Sequence, residues 1–172
     1  PQKAYSNFVQ RKTKVSLALE SFDEIEALGY VGGVPFKGGK RIAFIYTRDR
    51  EKLRVVSNSA SIELKDVLQM EIVQGRWFEG GDEVLNGDPV VINPALSHIL
   101  FGSENPVGKS IERVPYRQYT SSLMDKNGKV IIEQSSEMVT KEPFRVVGVI
   151  ADFRTNEFES SAPFLMEYYP EN

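Results

Sequence analysis

At 172 residues, 41% hydrophobic and 26% charged, the chain has the make-up of a folded domain, with one sizeable core or two small lobes, and not of a disordered segment. A net charge of −3 and a pI near 5.4 argue against a general nucleic-acid binder, which would carry a basic surplus. The longest wholly apolar runs fall far short of the ~20 residues that span a bilayer, and with no cysteine there is no disulfide framework and no marker of redox compartment.

The chain opens on Pro1, with neither a starting Met nor a signal peptide, and reads as a piece of something larger. Up to Lys14 it carries Lys3, Arg11 and Lys12 without periodicity, the composition of a juxtamembrane segment or of a solvated terminus. Ser21-x-x-Glu24 matches a capping box, and with Phe22, Ile25 and Leu28 before Gly29 it predicts a short helix. Strands are expected at Tyr30 to Phe36, Arg41 to Thr47 and Leu53 to Ser57, with Lys37-Gly38-Gly39-Lys40 as the hairpin turn between the first two. A helix at Ile62 to Leu68 and a strand at Gln69 to Val73 follow.

The next stretch, QGRWFEGGDEVLNGDPVVINPALSHILFGSENPVGKS from Gln74 to Ser110, is the most informative. Pro89 to Asn93 is an apolar run too short for a helix and reads as a buried strand. Asn93 suits an N-cap, Pro94 the first helical position and Gly102 a left-handed C-cap, and Leu96, Ile99 and Leu100 would form one apolar helix face. Val107 and Ile111, flanking Gly108 and Lys109, lead into another strand. Asn127-Gly128 between Tyr119 to Lys126 and Lys129 to Glu133 is a strong hairpin signal. From Phe144 to Phe153 both faces of a strand are apolar, Phe144, Val146 and Ile150 on one and Val147, Val149 and Ala151 on the other, so both are expected to be covered. Gly148 in its middle marks a bulge or a close backbone approach. Pro163 to Tyr169 reads as a final strand.

The Gly-Arg-aromatic turn, acidic loop, short strand, capped helix and ENPVGKS turn, closed by FRVVGVIADFR at Phe144 to Arg154, resemble in this order the periplasmic core domain of MacB-like and FtsX-like ABC transporter permeases. The likeness is strongest over those two stretches, weaker over Ser21 to Leu68 and absent from Tyr116 to Pro143, where the hairpin reads as an insertion. It implies an α+β domain of two lobes: a porter-like one from residues 15–73 with 155–172, and a β-rich, sabre-like one from 74–154 that includes the 116–143 insertion. It further implies the extracytoplasmic, periplasmic part of an inner-membrane permease that moves and does not catalyse. The implied partners are the permease's own transmembrane helices, a cytoplasmic ATPase, a second permease copy and a periplasmic adaptor or substrate protein, with no nucleic acid among them. A ligand- or peptide-sensing module and a small hydrolase are the rival readings.

No catalytic, cofactor or metal residues are assigned. In GSENPVGKS the spacing from Gly102 to Gly108-Lys109 is one residue longer than in the phosphate loop G-x-x-x-x-G-K-[ST], the loop follows a helix instead of opening one, and Pro106 removes an amide donor. The single histidine, His98, lies within the capped helix without neighbouring ligands and reads as a surface or packed residue. Glu79, Asp82, Glu83, Asn86 and Asp88 lack the spacing of an EF-hand and read as a solvated loop. Asp23, Glu24 and Glu26 read as the wet first turn of a helix. Without cysteine or a second histidine the commonest nucleophile-base pairs cannot be assembled. Adjacent Trp77 and Phe78 on a strand would point to opposite faces, one into the core and one to a lobe boundary.

Overall fold

The computed structural model describes residues 14–32, 41–82, 86–115, 117–124, 130–137, 141–151 and 162–169. The strand expected over Tyr30 to Phe36 and its Lys37 to Lys40 turn fall largely outside them, as do Glu83 and the Asn127-Gly128 turn. The first element, α1, is a helix at residues 14–20 that ends where the capping box was expected to begin one. Ser21 donates its hydroxyl to the carbonyl of Ala18 at 2.7 Å, and the Phe22 amide donates to Leu19, so Ser21 closes the preceding helix. Val15, Leu17 and Phe22 are exposed.

The body is a seven-stranded mixed sheet. Its strands are β1 (Arg41–Tyr46), β2 (Lys52–Ala60), β3 (Ile72–Gly75), β4 (Asp88–Ile92), β5 (Ser110–Ile111), β8 (Phe144–Ile150) and β9 (Phe164–Tyr168), in the order β1-β2-β9-β4-β8-β3 with β5 also on β8. Between β5 and β8 the chain makes β6 (Arg117–Met124) and β7 (Val130–Glu137), an antiparallel ladder that forms a sheet of its own and places the expected hairpin. Because β9 pairs with both β2 and β4, strands from the segments assigned above to separate lobes share one sheet.

Two short helices cover opposite faces. On one, α3 (Pro94–Phe101) sets Leu96, Leu100 and Phe101 against Val90, Ile92, Phe144, Val146 and Leu165. Ile99, expected on that face, is 46% exposed and Phe101 takes its place: the helix is rotated so that the i, i+4, i+5 side is buried. On the other face α2 (Leu64–Val67) and the residues after β3 bury Leu64, Met70, Trp77 and Phe78 against Val91, Val147, Phe164 and Met166. The strand expected from Gln69 starts only at Ile72, because Gln69 at φ 50 and a bond from the Met70 amide to the Lys65 carbonyl prolong the turn after α2.

Gly148 answers to both expectations. The β4–β8 register pairs Val90 with Val146 but Val91 with Gly148, so Val147 is the extra residue of a bulge. A Cβ at Gly148 would lie 2.1 Å from the Arg76 carbonyl oxygen. The bulge also reverses the alternation beyond it: Val149, not Ile150, joins Phe144 and Val146, and Ile150 joins Val147 on the opposite face.

Candidate functional site

The turn after β3 is built from the Gly-Arg-aromatic sequence. Gly75 sits at φ 68, and a Cβ there would come within 2.4 Å of the Val147 carbonyl oxygen. Its neighbour Arg76 forks onto Asp82, Nη1 to Oδ2 at 2.9 Å and Nη2 to Oδ1 at 2.6 Å, and also donates to the Trp77 carbonyl. Asp82 accepts the Glu79 amide as well. Asp82 is 3% exposed, which corrects the expectation that the whole acidic loop is solvated: it is the internal brace of a tight turn. Burial pushes the Asp82 carboxyl up, but the Arg76 and Glu79 hydrogen bonds and the Arg76 charge outweigh it, and its pKa lies below the usual carboxylate range. Glu79 is exposed beside Arg76, and Asp88 pairs with Arg113. Arg113 also stands over the Phe144 ring, a part-buried cation that nothing in the sequence singled out.

Trp77 and Phe78 follow in irregular backbone, so strand alternation does not apply to them. Both rings enter one core, 4.7 Å apart and tilted, and Phe78 meets Tyr168 at 5.5 Å. Neither is a ligand platform.

Around the loop after α3, Glu104 accepts Lys109 and Arg48, and these hydrogen bonds with the two charges hold its carboxyl down at about 2. The amides of Glu104, Val107, Gly108 and Lys109 donate to Phe101, Asn105, Val146 and Pro106 respectively, so they do not converge on an anion. A cleft of ≈ 250 Å³ lies between this region and the β1–β2 turn, lined among others by Tyr46, Arg48, Arg50, Phe101 and Glu112. Its charged walls are already paired, Arg50 with Glu112 and Arg48 with Glu104. His98 is exposed on α3, as are Asp23, Glu24 and Glu26 after α1. Among the described residues no group of three or more His, Asp or Glu is arranged for a metal.

What the fold does bring together is the far end of β2. Residues 30–32 run antiparallel to it, with Val31 bridging Ala60, the Gly32 amide donating to Ser59 and the Ser61 amide to Tyr30. On the other edge β9 runs parallel to β2, Ala60 opposite Tyr168, and the Tyr169 amide donates to Ala60. Read outward from the sheet, both segments leave past the same residues and in the same direction.

The model of the MacB-like periplasmic core domain matches residues 6–166. The chain belongs to that family. It is an extracytoplasmic domain of a MacB-like ABC transporter permease, and no helix among the described residues is long and apolar enough to cross a membrane. Two solved structures share its fold. The extracellular domain of the noncanonic ABC-type transporter YknZ from Gram-positive bacteria superposes with a TM-score of 0.53 at 14% identity, over 88% of this chain and 59% of that one. The periplasmic region of MacB from Actinobacillus actinomycetemcomitans gives 0.54 at 17% identity, over 89% and 52%. The MacB-like chain thus spans little more than half the length of these structures. Among curated proteins none matches its sequence.

Proposed function

We propose that this MacB-like domain is a non-catalytic moving element, which carries displacement of its permease's transmembrane helices, driven by ATP hydrolysis on the cytoplasmic side, to a substrate or adaptor protein outside the membrane. The observation that supports it most is the convergence of residues 30–32 and β9 on the end of β2: two connections leaving side by side suit a domain set between two membrane helices. Dimerisation with a second permease copy and the two-lobed division belong to the same reading. In it the lobes of residues 15–73 with 155–172 and of 74–154 are joined through the β9–β4 ladder, and the β6–β7 ladder is the part that forms a separate sheet. Sensing of a captured ligand is less well supported, because the charged groups around the cleft are turned toward one another.

The test is a full-length permease with its ATPase, carrying a nitroxide at Lys52→Cys in each copy. Trapping with ATP and vanadate should shift the distance between the two labels relative to nucleotide-free protein. An unchanged distance, with trapping verified, would refute the moving-element reading.

A further inference from the structure

The fork at the end of β2 is held by more than strand pairing. Ser61 is fully buried, and each of its polar groups is engaged: its amide donates to the Tyr30 carbonyl, its hydroxyl accepts the Tyr30 amide at 3.0 Å, and its carbonyl accepts Trp77 Nε1 at 3.3 Å. From Trp77 the contact continues to Phe78 and on to Tyr168 of β9, next to the Tyr169 amide that bonds Ala60. One path therefore joins the segment before β1 to the last strand through the aromatic turn, and that turn is braced by the Arg76–Asp82 fork. Besides this path the earlier segment is held by its backbone bridge to β2 and by the packing of Val31 against the core.

Resting on the reading of a moved domain, we propose that Ser61 and Trp77 form a latch that fastens both outgoing segments to the end of β2, so that a displacement of either is imposed on the whole sheet. The Gly-Arg-aromatic turn is then the coupling element of the domain, and Ser61 and Trp77 are positioning residues within it. A hydroxyl suits the first position because it accepts a backbone amide that a buried alanine would leave unsatisfied. An indole suits the second because it adds a donor to a ring of core size.

The experiment compares spin-label distances in the full-length permease, freed of any other cysteines. One pair, Glu26→Cys with Lys52→Cys, spans from the outgoing segment to β2; a control pair, Lys52→Cys with Ser110→Cys, lies within the sheet. In nucleotide-free protein the first pair should give a narrow distribution, and Ser61→Ala or Trp77→Phe should abolish that narrowness while leaving the control pair narrow. ATP and vanadate should leave the first pair unmoved in the otherwise unsubstituted protein. Unaltered narrowness in both variants would overturn the proposal. So would a first pair that shifts on trapping, because the segment would be sliding past β2, and so would broadening of the control pair, because the two residues would then hold the sheet as a whole. The nucleotide-free comparison reads the latch alone, and the distance between copies reads the moving-element function alone, so the two failures are distinguishable.

Discussion

At Gly148 the absence of a side chain is set by a neighbouring backbone rather than by a side-chain pocket. The atom that a Cβ would meet at 2.1 Å is the Arg76 carbonyl oxygen, and the Arg76 amide is itself bonded to the Val147 carbonyl. Neither group can rotate away, so even Gly148→Ala must push the aromatic turn off β8. Overpacking in a core typically costs about 1 to 3 kcal/mol, and with backbone as the obstacle the loss should reach at least that range. Urea unfolding of the 172-residue chain would check it, and a variant within error of the parent would mean that the bulge relaxes freely. The need for glycine here was legible in the sequence, since a glycine amid unbroken apolar residues suggests a bulge or a close approach. That the approaching group is the Arg-aromatic turn was not, because the contact joins residues far apart in the chain. Asp82 teaches the same at the charged end: among several acids in one loop, only the fold reveals which one Arg76 reaches.

The helix α3 was legible almost entirely, for a local reason. Its N-cap is a side-chain bond from one residue to a backbone amide three positions on, Asn93 Oδ1 to Leu96 at 3.0 Å, and such geometry is written in neighbouring residues. Its buried face was not, because the rotation of a helix is decided by the sheet beneath it; likewise the serine of an apparent capping box went to the helix before it. Asn93 does more than cap. Its Oδ1 also accepts the Phe164 amide and its Nδ2 donates to the Ala162 carbonyl, so the start of α3 is tied to the approach to β9. Asn93→Ala removes the cap and strands buried partners, and should destabilise the chain by about 2 to 4 kcal/mol. Asn93→Asp keeps the acceptor but loses the donated bond and sets a buried carboxylate against the Ala162 carbonyl, so it should cost at least about 1 kcal/mol, and more above the carboxyl's pKa than below it. An Asn93→Ala variant within error of the parent by denaturant titration would show that neither the cap nor the tie to β9 contributes to stability.

Among the described residues two carboxylates, Asp82 and Glu104, have lowered pKa values and contribute to how the fold responds to acid, and they sit in different surroundings. Both Asp82 and Glu104 titrate lower folded than unfolded, where Asp and Glu take up protons near ~3.9 and ~4.3. The unfolded chain therefore binds more protons as the pH falls, and stability must fall with it. The contribution of each group is complete above the unfolded values and is lost as the pH drops through the folded ones, which for Glu104 means down to about 2. Stability should hold from neutrality to about pH 5 and decline below that. Salt separates the two groups. Glu104 lies on the surface between Arg48 and Lys109, and at about 1 M salt a screening length of ~3 Å removes most of that attraction. Asp82 is enclosed in its fork with Arg76 and is shielded from added ions. Glu104→Gln should accordingly flatten the acid slope at low salt and change little at high salt, whereas Asp82→Asn should flatten it in both. Thermal unfolding between pH 2 and 6 in the two salts would decide it. An acid slope in Asp82→Asn that matched the parent's at high salt would show that the buried fork does not carry the acid response.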